Sequence, residues 1–299
     1  MKTIKIIFNL IDWVKVLYLT FIIFLAKYCF LYGFGYETLF SFIDVCLFAI
    51  TCSFFYKATF LLIFFFKNDY IKLKPHLKKI KFTALLFLFI GLTSGIYLSF
   101  KIDKSYFSLL FISCSISAIV YAKLLEKKSF FDSLIKSFLT PFTILCFWWL
   151  DTPINLTSEE WTIFFKLQFI TVIYLILAFL GTLNEEIIKS ICTINEDNSL
   201  KNKTLPILFG RKRAKIVSLF LMGISSFLIL FLALSFTAIT YLFVTILITN
   251  LLPQLIIVYY TLKATTNNKF KQLLKAIKPL KAVGILGVIA ITYYFKYVA

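Results

Sequence analysis

The amino-acid sequence predicts an all-α polytopic membrane protein of nine transmembrane helices. Hydrophobic residues occupy 61% of its 299 positions and charged residues only 15%, and the mean hydropathy is +0.91, whereas a soluble globular domain is far more polar. Apolar runs of about the 20 residues that cross a bilayer recur along the chain. No polar interval is long enough to fold separately, so one membrane domain is expected over residues 1–299.

The predicted spans follow one another with short polar connections. The chain opens with a basic, amphipathic segment that leads into a full-length apolar run without a small-residue cleavage site, so the first helix is expected to remain in the mature protein. Pro141 and Pro253 fall inside predicted spans, where neighbouring helices can satisfy the freed backbone groups. The nine spans are predicted near residues 16–35, 39–66, 82–100, 106–121, 134–150, 161–183, 214–234, 236–262 and 283–297.

The charge balance is strongly basic, with 32 Lys and Arg against 14 Asp and Glu and a net charge of +18. Because the basic residues are confined to the connections between spans, nucleic acid is not an expected partner, and anionic membrane lipid or a phosphorylated substrate fits better. Most lysines follow the second, fourth, sixth and eighth spans, so the positive-inside rule places these loops in the cytoplasm. Lys27 and Asp44, in or near spans, are predicted to reach the membrane interface.

Two polar intervals are the candidate sites of chemistry, and both are expected on the cytoplasmic side. Residues 67–81 read KNDYIKLKPHLKKIK, and residues 183–213 form the longest polar interval of the chain. In the second, Glu186, Ser190, Thr193 and Asp197 recur at spacings of four, three and four, which predicts one face of a helix that extends the sixth span. Composition alone favours a simpler interpretation, a basic loop at the level of the lipid headgroups.

The block TLPILFG, with basic residues on both sides, resembles the second signature of the UbiA superfamily of intramembrane prenyltransferases. Asn68, Asp69 and Tyr70 resemble the start of that family's first signature, and nine spans is the family's number, so the resemblance covers nearly the whole chain. A further loop of the family resembles Tyr121, Lys123 and Leu124. The positions that match the second signature are Lys203, Thr204, Leu205, Pro206, Leu208, Gly210, Arg211, Arg213 and Ala214.

The resemblance implies a bundle around a central cavity in which the two signatures face each other and bind a prenyl diphosphate through Mg²⁺. Divalent cations stabilise the pyrophosphate that leaves when the C–O bond breaks, and they prefer carboxylate ligands. Asp69 and Asp197 are the implied catalytic residues and, with Asn68, the implied metal ligands. The implied substrate-binding residues are Asn68, Lys72, Lys123, Lys203 and Arg211.

The sequence departs from the family pattern at several metal-ligand positions. Lys72 and His76 occupy the next two aspartate positions of the first signature, and Thr193 occupies the acidic position one turn before Asp197. So few carboxylates put Mg²⁺ binding in doubt. Several alternatives remain open: direct neutralisation of the diphosphate by lysines, proton transfer by His76, a solvated basic loop, and replacement ligands. The lysines are Lys72, Lys74, Lys78 and Lys79, and the replacement ligands are Glu186 and Glu196.

The function expected from the resemblance is transfer of an isoprenoid chain from a prenyl diphosphate to a hydrophobic acceptor, for which an aromatic compound is one candidate. The alternative is a catalytically degenerate family member that binds an isoprenoid or quinone-like lipid without turnover. A transporter is a third hypothesis. It would be expected to show inverted halves and broken helices, whereas the two polar intervals here have the same orientation.

Overall fold

The structure, a computed structural model, describes residues 13–31, 35–67, 77–124, 130–199 and 202–297. Within these ranges every regular element is a helix, and an isolated bridge of extended backbone pairs Thr38 with Pro153. The all-α prediction is therefore confirmed. This outcome follows from the apolar composition, because a helix satisfies its own backbone hydrogen bonds where no water is available.

The helices of the described ranges are numbered in chain order. Two of them contain a π-helical stretch, which widens the helix by one residue per turn and is often found at functional positions. The bounds are α1 (Trp13–Leu25, continued by a π-helix over Ala26–Leu31), α2 (Phe42–Lys67), α3 (Leu77–Lys101), α4 (Ser108–Leu124, preceded by a 3₁₀ turn over Ser105–Phe107), α5 (Phe130–Leu150), α6 (Ser158–Cys192), α7 (Ile194–Ser199), α8 (Leu205–Phe209), α9 (Arg211–Leu234), α10 (Thr240–Ile246, continued by a π-helix over Leu247–Leu251), α11 (Leu252–Lys263) and α12 (Asn267–Tyr297).

Seven helical stretches of the described residues are long and apolar enough to cross a membrane. They correspond to the second to eighth predicted spans. The first and ninth predicted spans lie in α1 and α12, and the number nine stays a prediction. The seven stretches cover residues 42–63, 77–101, 105–123, 130–150, 158–192, 211–234 and 240–263.

The chain divides into two compact units, which are described separately. The first contains residues up to Lys127 together with Thr143–Asn155, and the second contains Lys128–Phe142 and Leu156–Ala299. Helix α5 thus contributes its beginning to the second unit and its end to the first. The prediction of a single membrane domain stays a prediction.

The first unit is built on the packing of α2 against α3 and α4. Small residues at the contacts let these helices approach closely, which is how helices associate in a membrane. Gly95 on α3 marks the tightest approach, since a Cβ there would lie 2.6 Å from the ring of Phe111 on α4. One buried cluster of this unit consists of Ala58, Leu61, Leu62, Ile80, Ala84, Leu88, Ala118 and Ala122.

A buried ion pair fixes one end of the first unit. Lys27 and Asp151 are 2% and 0% exposed, and their charged groups lie 2.7 Å apart. The Asp151 carboxylate also accepts a hydrogen bond from the Phe40 amide at 2.9 Å, while the Lys27 ammonium donates to the Phe40 carbonyl at 3.0 Å and to the Thr38 hydroxyl. Burial raises the pKa of Asp151, and the attraction of Lys27 opposes that rise.

Lys27 and Asp44, which are predicted to reach the membrane interface, both form ion pairs within the protein, and their position relative to the membrane stays a prediction. Lys27 is enclosed by the pair just described, and Asp44 is 4% exposed and contacts Lys101 at 2.5 Å. A charge that finds an opposite charge at bonding distance does not need to extend to water. The sequence does not reveal either ion pair, because the two residues of each pair lie far apart in the chain.

The second unit is organised by α6, whose 35 residues extend about 52 Å at 1.5 Å per residue, well beyond an apolar bilayer core of about 30 Å. A capping box between Thr157 and Glu160 starts the helix. Its far end packs against α9, α11 and α12 around Ile187, Ile188 and Ile191. This far end of α6, around residues 187–191, is called the overhang, and it carries a buried core.

The ends of four helices meet beside this overhang, and this region is called the signature end. Lys215 of α9 donates to the carbonyls of Leu262 and Ala264 at 2.7 and 2.9 Å. Asn267, at the start of α12, donates to the Cys192 carbonyl at 3.1 Å. These bonds satisfy carbonyls that the ends of α6 and α11 leave free.

Replacement of Gly95 by Ala should destabilise the protein by about 1–3 kcal/mol, because the new methyl group overlaps the Phe111 ring and forces the helices apart. Gly223→Ala in α9 is the matched control, since a Cβ there meets nothing within 4 Å and alanine favours the helix by about 0.5–1 kcal/mol. Thermal unfolding of the detergent-purified variants measures both. Equal midpoints for the two variants would contradict the close approach.

Lys27→Met should cost about 3–5 kcal/mol, because it leaves the Asp151 carboxylate buried without its cation. The double variant Lys27→Met/Asp151→Leu should recover most of that loss in chemical unfolding. Lys189→Met serves as the control; it breaks an exposed pair with Glu186 at 3.8 Å and should change stability by less than about 0.5 kcal/mol. Additive losses in the double variant would show that the two groups do not interact.

Candidate functional site

The second polar interval begins, at the signature end, with two helices joined by a turn at Thr193. Helix α6 continues to Cys192, and after Thr193 the short helix α7 runs from Ile194 to Ser199. The predicted helical extension of the sixth span is thus present, with an interruption at Thr193. Glu186 and Ser190 lie on α6, where Glu186 pairs weakly with Lys189 and the buried Ser190 hydroxyl donates to the Ile187 carbonyl at 2.8 Å.

Asp197 is buried inside the turn, with 1% of its surface exposed. One carboxylate oxygen accepts a hydrogen bond from the Thr193 hydroxyl at 2.7 Å, and the other accepts one from the Asn202 amide at 2.9 Å. The backbone carbonyl of Asp197 also accepts from the Asn202 N–H at 2.9 Å. Charged acceptors form the stronger class of hydrogen bond, so Asp197 holds together the turn that leads from α7 to the TLPILFG block.

Thr193 occupies the place where the family pattern has a second acidic residue, and it contacts Asp197 through a hydroxyl. A carboxylate at that position could share a cation with Asp197; a hydroxyl donates a proton to it. Over the described ranges, no group of three or more His, Cys, Asp or Glu side chains is placed to hold a metal ion. Of the metal ligands that the family resemblance implies, the described residues thus contain one carboxylate, that of Asp197.

The TLPILFG block forms helix α8 and the entry to α9. Pro206 lies in the first turn of α8, where its missing N–H and fixed φ suit a helix start. Gly210 has φ +84° and ψ 157°, a conformation open in practice to glycine alone. Arg211 then begins α9. Gly210 therefore ends α8 and directly precedes α9, whose first residue, Arg211, lines a cleft together with residues of α7.

An open cleft of about 400 Å³ lies between α7 and α8, with Arg211 at its edge. Its polar groups are one guanidinium and two carboxamides, so it offers hydrogen-bond donors and one permanent positive charge. Guanidinium donors match phosphate oxygens in geometry. The described lining residues are Ile194, Asn195, Asn198, Pro206, Ile207 and Arg211. None of these six side chains is a carboxylate, so they suit an anion better than a cation.

The structure places the remaining predicted site residues as follows. Lys203 is exposed two residues before the buried Leu205. Lys123 is exposed at the end of α4 in the first unit. Asn68, Asp69, Lys72 and His76 lie outside the described residues, as do the first-signature departures from the family pattern.

Three asparagines that sequence reasoning passed over contribute to this region. Asn195 and Asn198 line the cleft, and Asn202 bonds to Asp197. The segment INEDNSLKN does contain a signal, because asparagine is typical of turns and offers both donors and acceptors. In the sequence these asparagines stand near the carboxylates of Glu196 and Asp197, which are the more obvious candidate ligands.

A second polar group missed from the sequence lies within the apolar part of the second unit. Asn250, in the π-helical stretch after α10, donates to the Tyr174 hydroxyl at 3.3 Å. Gly287 of α12 lies directly against Thr249 and Asn250, where a Cβ would overlap both side chains. Polar side chains hydrogen-bonded between helices hold membrane bundles together.

Comparisons with known proteins give a family match and two similar folds. A model of the UbiA prenyltransferase family matches residues 78–277. A solved structure described as giving insights into digeranylgeranylglyceryl phosphate synthase in membranes is similar with a TM-score of 0.68 at 16% identity, covering 97% of this chain and 98% of that one. An apo structure of a UbiA homolog from Aeropyrum pernix K1 is similar with a TM-score of 0.60 at 16% identity, covering 91% and 96%. Comparison with curated proteins gives no match.

The two structural similarities show a UbiA-like fold, and the family model covers more than half of the chain. The central cavity and the cytoplasmic position of the loops stay predictions. This integral, multi-pass membrane protein belongs to the UbiA prenyltransferase family.

Proposed function

We propose that this chain transfers an isoprenoid group from a prenyl diphosphate to a hydrophobic acceptor within the membrane, an aromatic compound being one candidate. The observation that carries the proposal is the cleft at the second signature, whose lining includes Arg211, Asn195 and Asn198. Family membership supplies the reaction class. The cleft is the proposed binding site for the diphosphate.

The reaction requires the protein to stabilise the negative charge that develops on the leaving pyrophosphate. When the C–O bond of an allylic diphosphate breaks, its electron pair leaves with the pyrophosphate, and the acceptor then forms a bond to the allylic carbon and loses a proton. Positive charge and donors placed where negative charge develops lower the barrier. Arg211 and the carboxamides of Asn195 and Asn198 are the described groups suited to this task, and Lys203 and Lys123 are further proposed contacts.

The role of Mg²⁺ belongs to the same proposal. Family members that use the ion obtain from it further neutralisation of the leaving pyrophosphate. Asp69, Asp197 and Asn68 are the proposed ligands. The hydrogen bonds from Thr193 and Asn202 occupy one side of each Asp197 oxygen, so Asp197 would have to bind the ion through its remaining lone pairs.

A non-catalytic lipid-binding protein is the second candidate function. One observation favours it: Thr193 replaces an acidic partner and turns Asp197 into a structural acceptor. A scaffold that had lost its metal ligands could keep an apolar ligand while no longer ionising a diphosphate.

The direct test is pyrophosphate release by purified protein from labelled prenyl diphosphates of several chain lengths, with Mg²⁺ and with EDTA. We expect release. Arg211→Gln should reduce kcat/KM by about 10- to 100-fold, since a hydrogen bond to a charged group contributes about 1.5–3 kcal/mol. Arg213→Gln is the matched control, because this exposed arginine two positions away does not line the cleft; its effect should stay within about 2-fold.

Two outcomes would count against the proposal. Equal losses in the Arg211 and Arg213 variants would remove the cleft as the diphosphate site. No release from any donor by protein that still retains a lipid would favour the non-catalytic function.

Thr193→Asp tests the metal question from the opposite direction. The new carboxylate would lie one helical turn from Asp197, so the two charges should repel without a cation and bind Mg²⁺ together. We expect Mg²⁺ to raise the unfolding temperature of Thr193→Asp more than that of Thr193→Asn, which has the same size and no charge. If Mg²⁺ affects both variants equally, Asp197 is not accessible to an ion.

A further inference from the structure

The charge of the chain is distributed very unevenly along its length. From Asn198 to Ala299 there are thirteen Lys and Arg residues and no Asp or Glu. Seven of these basic residues lie between Lys263 and Lys296, and five of the seven fall in the first half of α12. This region therefore has no acidic residue of its own with which its lysines could pair.

Three of these lysines form one exposed face of α12. Lys271, Lys275 and Lys278 follow each other at spacings of four and three, so they project from the same side of the helix, and all three are exposed. The opposite side carries Phe270, Leu273 and Ile277, which are 1%, 2% and 2% exposed in the core of the second unit. The buried side fixes the rotation of the helix, so the lysine face is held outward.

No carboxylate neutralises this face within the described part of the chain. The ion pair that α12 does form joins Lys281 to Glu185 of α6 at 2.5 Å. Glu186 of the neighbouring α6 and Glu196 of α7 form no ion pair with the three lysines. The face is thus a compact cluster of three unneutralised charges.

On the prediction that residues 283–297 of α12 form the ninth span, the lysine face lies at a membrane surface. The helix has 31 residues, and about 30 Å of apolar bilayer core takes up about 20 of them at 1.5 Å per residue. Counted back from Tyr297, the core ends near Lys278. Lys275 and Lys271 follow about 4 and 10 Å further out, in or next to the headgroup layer, which is about 5–7 Å thick. Pro279 lies at this boundary inside the helix.

We propose that Lys271, Lys275 and Lys278 form a binding surface for anionic phospholipid headgroups in the leaflet at the signature end. Lysine clusters at this depth attract negatively charged lipid, and the long aliphatic stems of lysine suit the boundary between apolar chains and headgroups. The surface lies on a helix that packs against α6 and α11. Bound lipid would thereby hold the end of α12 against the elements that carry the second signature.

The test is the lipid preference of the whole protein, reconstituted in phosphatidylcholine vesicles that contain phosphatidylglycerol. Electron paramagnetic resonance of spin-labelled lipids gives the association of phosphatidylglycerol relative to phosphatidylcholine. We expect a preference of several-fold for the anionic lipid, which falls towards parity in Lys271→Gln/Lys275→Gln/Lys278→Gln. High salt should weaken the preference of the wild type, because it screens exposed charges.

The matched control is Lys78→Gln/Lys79→Gln/Lys81→Gln, which removes the same charge from three exposed lysines at the start of α3. This variant should keep most of the preference. Equal loss in the two triple variants would show an effect of net charge alone and would overturn the proposal. An unchanged lipid preference in the α12 variant would also overturn it, whether or not prenyl diphosphate binding changed.

Discussion

Polar groups in the interior of a membrane protein must find their partners within the protein, and the described structure follows from this constraint. It explains why the regular elements of the described ranges are helices, since each helix satisfies its own backbone. It also explains the side-chain pairs. Lys27 is buried with Asp151, and Asn250 bonds to Tyr174 between helices. At the signature end, lysine and asparagine side chains satisfy the free carbonyls of α6 and α11.

The same constraint determines what the second signature can do. Asp197 is buried, and hydrogen bonds from Thr193 and Asn202 engage both of its oxygens. A buried carboxylate used in this way stabilises a turn first and is only secondarily available to a ligand. The charged residue among the described lining of the cleft is Arg211. The proposed function therefore assigns the anion to Arg211 and a structural role to the Asp197 carboxylate.

The sequence predicted the helical class and most helix positions because apolar periodicity and length depend on local composition. The TLPILFG block and Arg211 were identified by resemblance to the family's second signature, and Pro206 and Gly210 of that block lie at helix boundaries, as their local preferences favour. The sequence could not predict that Lys27 meets Asp151, because nothing local links residues 124 positions apart. Nor could it show that Asp197 turns inward, since the orientation of that carboxylate depends on Asn202 and on the packing of α7.

The central claim is that Arg211 and the carboxamides beside it receive the diphosphate. An experimental structure of the protein with a non-hydrolysable prenyl thiodiphosphate tests it most directly. A phosphate oxygen within hydrogen-bond distance of the Arg211 guanidinium, about 2.7–3.2 Å, with Asp197 still bonded to Thr193 and Asn202, is the predicted result. Diphosphate bound away from the cleft, with Arg211 turned to solvent, would contradict the account.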